Sequence, residues 1–144
     1  AITAIVKAMR PGVTSESVDT AGRSVVERAG LGDFFHHRAG YSMGCSWAPG
    51  WGEGMVMDIS QGNKRELEPG MVFHCVPCIL IPEWGCMGFS ETILVTKSGC
   101  EVLTDVPREL AVTPTGRAVT VSKPAKTAAK AAGKKSKASA KRGR

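Results

Sequence analysis

The hydrophobic pattern of this chain changes period once, near residue 31, and that change limits what it can fold into. Before it, apolar residues recur at helical spacing. Ile2, Ile5, Val6 and Met9 fall on one face of a first helix, which Pro11-Gly12 stops. Thr14 or Ser15 can cap a second helix, with Glu16 in the first turn where the helix dipole favours an acid and Gly30 as a C-terminal stop. Its expected apolar stripe is Val18, Ala21, Val25 and Ala29. After residue 31 the pattern reads as loops and strands. Gln61-Gly62-Asn63 and Glu68-Pro69-Gly70 are turn signals. Met71 to Ile81 is an apolar run that suits a buried strand interrupted at Pro77. Gly88 to Thr96 is a second strand, and Lys97-Ser98-Gly99 turns it into a return strand over Glu101 to Thr104. Two helices followed by a run of strands predict an α+β fold with a mostly antiparallel sheet.

Charge divides the chain differently. Residues 123–144 hold nine of the 19 Lys and Arg and none of the 13 Asp and Glu. The body is therefore mildly acidic, with no sign of a nucleic-acid surface, and the basic balance belongs to the tail. Residues 113–144 lack large apolar side chains over most of their length, so they cannot bury enough surface to offset their ordering entropy, and disorder is expected. Lys spaced among Ala and Ser over 123–144 suits weak, non-specific contact with nucleic-acid phosphates, or a plain solvated extension. No aromatic residue there offers a stacking platform. No apolar run approaches a membrane span, and no charged-then-apolar leader opens the chain. Five cysteines, an odd number, suit free thiols in a reducing cytoplasmic compartment. Cys75-Val-Pro-Cys78 has the form of a redox or zinc motif, but no helix N-terminus stands there to lower a thiol pKa, and buried free thiols are expected. The chain opens on Ala1, already in helical pattern, which reads as a fragment of a longer protein.

Chemistry concentrates between Phe35 and Trp51. His36, His37, Tyr41, Trp47 and Trp51 lie there among Gly40, Gly44 and Gly50, proton-transferring groups beside residues that let the backbone turn tightly.

Several short motifs occur in a fixed order: M-R-P-G-V-T (9–14), A-G-L-G (29–32), H-R-A-G-Y-S-M-G (37–44), L-E-P-G-M-V-F (67–73), E-T-I-L-V-T (91–96) and L-T-D-V-P-R-E-L (103–110). Together they resemble the C-terminal half of the creatinase/aminopeptidase, or pita-bread (peptidase M24-like), domain over roughly residues 1–112. H-R-A-G-Y-S-M-G with M-V-F-H is most similar to the ectoine-hydrolase-like branch. The resemblance implies half of a pseudo-symmetric α+β domain whose curved antiparallel sheet holds the site. It also implies a small-molecule substrate, a homodimeric parent, and a first half that supplies part of the site. Without that half, apolar sheet surface is expected to be exposed and the isolated chain to associate.

Peptidase members hold two metal ions, and three of the five ligands should fall in this half. They fall on Tyr41, Val76 and Ser90, or Glu91 with a one-residue shift. Val76 has no donor, and a neutral tyrosine is a poor substitute for imidazole. The expectation is therefore no metal and no other cofactor, as in creatinase-like members. The candidate catalytic residues are His37 as general acid or base, Glu91 as nucleophile, base or partner of a cationic amidine, and Tyr41 as donor to a developing oxyanion. For two of them there is a plainer reading: a hydrogen bond to a neighbouring carbonyl for His37, a structural ion pair for Glu91. Candidate substrate contacts are His74, Arg38, Trp47, Trp51 and Glu53, with Trp84 as a further face for a small cation. A lone histidine in an apolar strand is more often a core residue, tryptophans more often pack, and Arg38 and Glu53 also suit the surface. The favoured function is part of a hydrolase acting on a C–N bond of a small cyclic or zwitterionic compound, ectoine-hydrolase-like. The alternatives are an Xaa-Pro peptidase relative, active or degenerate, and a non-catalytic binding module with a basic arm.

Overall fold

A computed structural model describes residues 1–45, 50, 53, 56–110 and 112. The chain divides into two units, Ala1–Glu109 and Leu110–Arg144, and among the described residues the helices and strands lie in the first. The tail expected over 113–144 lies outside the described residues.

Helix α1 spans Ile2–Ala8 and α2 spans Ser15–Arg28, followed by a short 3-10 turn at Gly32–Phe34. On α1, Ile2 and Ile5 are buried, as is Met9 just beyond it, with Val6 packed against them. Thr14 caps α2: its hydroxyl accepts from the Ser17 N–H at 3.3 Å. Gly30, at φ 73°, takes the left-handed conformation past the helix end.

The buried face of α2 is not the expected stripe. Of Val18, Ala21, Val25 and Ala29 only Val18 is fully buried, and Ala29 is exposed. The inward face is Ser15, Val18, Asp19 and Gly22. Two contacts turn it that way. Gly22 lies against Ile5, whose Cδ1 and Cγ1 would be 2.7 Å from a Cβ at that position, so the two helices close to a distance only glycine permits. Asp19 goes inside because Arg23, one turn on, and the Ala39 N–H both donate to it.

The strands are β1 (Gly40–Ser42), β2 (Asp58–Ile59), β3 (Val72–Cys75), β4 (Cys78–Ile81), β5 (Gly85–Gly88), β6 (Glu91–Val95) and β7 (Cys100–Val102). Five form an antiparallel sheet in the order β2-β1-β3-β6-β7. Pro77 splits the apolar run as expected, but its two parts go to different sheets, because β4 pairs with β5 in a separate hairpin. Every residue of β5 is exposed, as are Leu80 and Trp84. One face of the main sheet carries Phe73, Cys75, Ile93 and Val95, all buried, and packs with Ile5, Met9 and Val18 of the helical layer into a single core.

Burial holds the Cys75 thiol protonated: its pKa is pushed up from 9.0 to about 12, first by desolvation and then by the nearby Cys100. The folded state therefore binds that proton more tightly than the unfolded chain does. Stability is intact below pH 9 and is lost as pH rises towards 12, at up to about 1.4 kcal/mol per pH unit. Denaturant unfolding at pH 8 and pH 10.5 should show this loss, and Cys75→Ala should flatten it.

Candidate functional site

Strand pairing alone assembles a row of polar side chains. Asp58 of β2 stands opposite Tyr41 of β1, Tyr41 opposite His74 of β3, and His74 opposite Thr92 of β6. Cross-strand partners share a face and neighbours along a strand alternate. The four therefore lie on the face turned away from the core, while Gly40, Cys75 and Glu91 share the buried face. All four are partly buried.

The row is joined by side-chain contacts. The Tyr41 and His74 rings lie 5.4 Å apart and tilted by 47°. His74 Nδ1 is 3.5 Å from Thr92 Oγ1, the outer limit of a hydrogen bond. Arg38 donates to Asp58 Oδ2 at 2.9 Å, and its guanidinium carbon lies 5.1 Å from the Tyr41 ring centroid. Asp58 is fixed from behind, since its carbonyl accepts from Ser15 Oγ at 2.5 Å and Asn63 Nδ2 at 2.8 Å. Thr92 is fixed likewise: its N–H donates to Thr104 Oγ1 at 2.8 Å, and its carbonyl accepts from the Leu103 N–H at 2.8 Å.

An open cleft of about 580 Å³ adjoins this row, lined by His36, His37, Arg38, Tyr41, Val76 and Cys78. His37 is exposed. Its backbone is anchored from α2, where Arg23 donates to the carbonyls of Phe35 at 2.7 Å and His37 at 3.0 Å. The Arg23 guanidinium also stacks on the Phe35 ring at 4.2 Å. An exposed imidazole thus stands on a fixed backbone at the mouth of a cleft.

The structure brings His37, Arg38 and Tyr41 together in this cleft, with His74 beside Tyr41. It does not bring Glu91 there. That carboxylate is 2 % exposed on the opposite face, accepts from Arg108, and leaves Oε2 with no partner among the described residues. Glu53 lies apart too, its carboxylate directly over Gly44 beside a second cavity of about 230 Å³ that shares no lining residue with the first. Trp47 and Trp51 lie outside the described residues. Trp84, expected to pack or to face a cation, is 75 % exposed in the turn between β4 and β5. Asp58 and Thr92 were not singled out from the sequence. Asp58 had a signal, a lone acid between buried Met57 and Ile59, but only the strand register reveals its neighbours.

Of the positions expected to carry metal ligands in this half, Val76 in the cleft wall has no donor atom, Tyr41 offers a phenol, Ser90 is exposed outside the strands, and its alternative Glu91 is buried on the opposite face beside Arg108. Among the described residues no three His, Cys, Asp or Glu side chains gather as a metal cluster. The C-x-x-C is also not an activated pair. Its cysteines sit in different sheets, Cys75 is fully buried, and both thiols are raised rather than lowered. No helix among the described residues is long and apolar enough to cross a membrane.

Comparison with known proteins places this arrangement. The chain is 38% identical over 103 residues to the ectoine hydrolase of Halomonas elongata, an overlap covering 72% of this chain and 25% of that protein. It is 32% identical over 111 residues to the Xaa-Pro dipeptidase of Lactobacillus helveticus, covering 77% and 28%. Among solved structures, the prolidase from Pyrococcus furiosus superposes with a TM-score of 0.64 at 30% identity, covering 74% of this chain and 30% of that one. The chain thus spans roughly a quarter to three tenths of the length of these relatives. Its two helices and antiparallel sheet are a portion of the pita-bread fold. The model of metallopeptidase family M24 matches residues 1–97, and to that family the chain belongs.

Proposed function

We propose that this chain forms part of a metal-independent hydrolase that cleaves a C–N bond in a small zwitterionic compound, with the cyclic amidine ectoine as the leading substrate. The observation that carries the reading is the pairing of His37 and Arg38 with Tyr41 in one cleft, where Val76 and Tyr41 stand at positions that peptidase relatives need for metal. The 38% identity to an ectoine hydrolase supports it.

In this reading water adds to the amidine carbon, and one C–N bond then breaks as its nitrogen takes up a proton. His37 accepts the proton from the attacking water and returns it to the leaving nitrogen. Arg38, oriented by Asp58, meets the substrate carboxylate. Tyr41 stabilises the oxygen that gains charge in the tetrahedral intermediate. His74 and Thr92 support the Tyr41 ring from the next strands. Glu91 acts on the fold rather than on substrate: its pairing with Arg108 pins the start of β6, which carries Thr92.

A second reading, an Xaa-Pro dipeptidase, is favoured by the 32% identity to the Lactobacillus enzyme. The two separate on substrate. Incubation of the protein with ectoine and, in parallel, with an Xaa-Pro dipeptide, followed by chromatography of the products, should show opening of the ectoine ring and no dipeptide cleavage. Cleavage of the dipeptide alone would replace the first reading with the second.

A further inference from the structure

The β4–β5 hairpin carries a pair of thiols that the hydrolase reading does not use. We propose that Cys78 and Cys86 form a two-thiol site for a soft, thiophilic metal ion of the copper(I) or silver(I) kind, at the rim of the cleft.

The hairpin register places them. Cys78 stands opposite Gly88, and Leu80 opposite Cys86. Residues two apart share a face, so Cys78 and Cys86 are diagonal neighbours on the same side of the ribbon. Gly88 keeps the space beside Cys78 open: a Cβ there would lie 2.9 Å from the Cys78 Cβ. Burial first, and then the neighbouring Cys86, raise the Cys78 thiol above its ordinary pKa. Neither cysteine is in a disulfide, and Cys86 is exposed.

Three arguments select a soft metal over the other fates of a thiol pair. Diagonal neighbours in an antiparallel ribbon sit about 7–8 Å apart, beyond the usual Cα spacing of a disulfide, whereas an ion between the two sulfurs spans a wider gap. A raised thiol pKa is the wrong setting for attack on a peroxide, which needs thiolate. A metal instead displaces the protons as it binds. Finally, no third His, Cys, Asp or Glu joins the pair among the described residues, so a tetrahedral zinc site is not available. Two sulfurs alone suit an ion that accepts two soft ligands. On binding, each thiol releases its proton to solvent, two metal–sulfur bonds form, and no electron changes hands. Cys78 lines the cleft with His37, Arg38 and Tyr41, so an ion held there narrows the cleft mouth. The site stands on the hairpin alone and does not depend on the hydrolase reading.

The test uses the reduced chain with one equivalent of silver(I). Native mass spectrometry should show one silver per chain. Iodoacetamide followed by peptide mapping should find Cys78 and Cys86 protected together while the exposed Cys45 is alkylated. C78S and C86S should each weaken silver retention against a competing thiol by about a hundredfold, the scale on which a second tethered contact raises affinity. C45S should leave it unchanged. The proposal is overturned if silver protects Cys45 instead, if C86S holds silver as tightly as the unaltered chain, or if diamide joins Cys78 to Cys86 in a disulfide. The protection pattern of the unaltered chain decides the matter even where a variant fails to fold.

Discussion

Asp19→Ala is expected to lower the free energy of unfolding by about 3–5 kcal/mol, the cost of leaving one member of a buried ion pair unpaired. Asp19 is 0% exposed, and the Arg23 side chain is 11% exposed. The carboxylate accepts from Arg23 Nε at 2.8 Å, from Arg23 Nη2 at 3.1 Å and from the Ala39 N–H at 3.2 Å. Arg23 also donates to the carbonyls of Phe35 and His37. One carboxylate therefore holds α2, the backbone of the His37 segment and the entry to β1 in register. Its loss strands a guanidinium in low dielectric, while the Ala39 N–H keeps its bond to the Ile59 carbonyl at 2.8 Å. Denaturant unfolding gives the number. Replacing both partners with apolar residues, Asp19→Leu with Arg23→Met, should cost less than Asp19→Ala alone, because no charge is then left buried. A loss under about 1 kcal/mol for Asp19→Ala would mean that the pair is solvated and does not organise the segment.

His37→Gln is expected to lower kcat by about 10²–10⁴-fold, the usual contribution of a positioned acid–base group, with KM changed far less. The side chain is exposed, and the contact that holds the segment is made by its backbone carbonyl, so the variant should fold with unchanged stability. That separation makes the result informative. A fall in kcat with intact unfolding behaviour places the imidazole in the chemistry. A variant as active as the original protein would show that the proton passes through another group, with His74 the next candidate by its position beside Tyr41.

Much of the fold was legible because its signals are local. The Thr14 cap, the glycine stop at Gly30, the turns at Gly62 and Gly70 and the break at Pro77 all depend on the conformational limits of single residues. The inward face of α2 was not legible, because it includes an acid and a glycine. Asp19 looks like a surface residue until Arg23 and the Ala39 N–H are brought to it, and Gly22 contributes no apolar signal while allowing the closest approach of the two helices. Strand β5 was missed for a related reason: Gly85-Cys86-Met87-Gly88 has no β-branched residue and two glycines. At the site, His37, Arg38 and Tyr41 were readable as a short motif on adjacent elements. Asp58 and Thr92 were not, because their membership depends on register between strands far apart in sequence. Glu91 stood out for the opposite reason. A carboxylate in an apolar strand invites a functional role, yet its partner Arg108 lies 17 residues further on in a stretch without regular structure.

The most direct test of the proposed metal independence is turnover of ectoine by protein treated with a strong chelator and then freed of it, with and without added manganese or cobalt. The account predicts the same rate in all three samples, since neither Val76 nor Tyr41 furnishes the ligand a metal pair would need there. A rate that vanishes on chelation and returns only with added metal would contradict it, and would mean that the cleft beside His37 houses a metal after all.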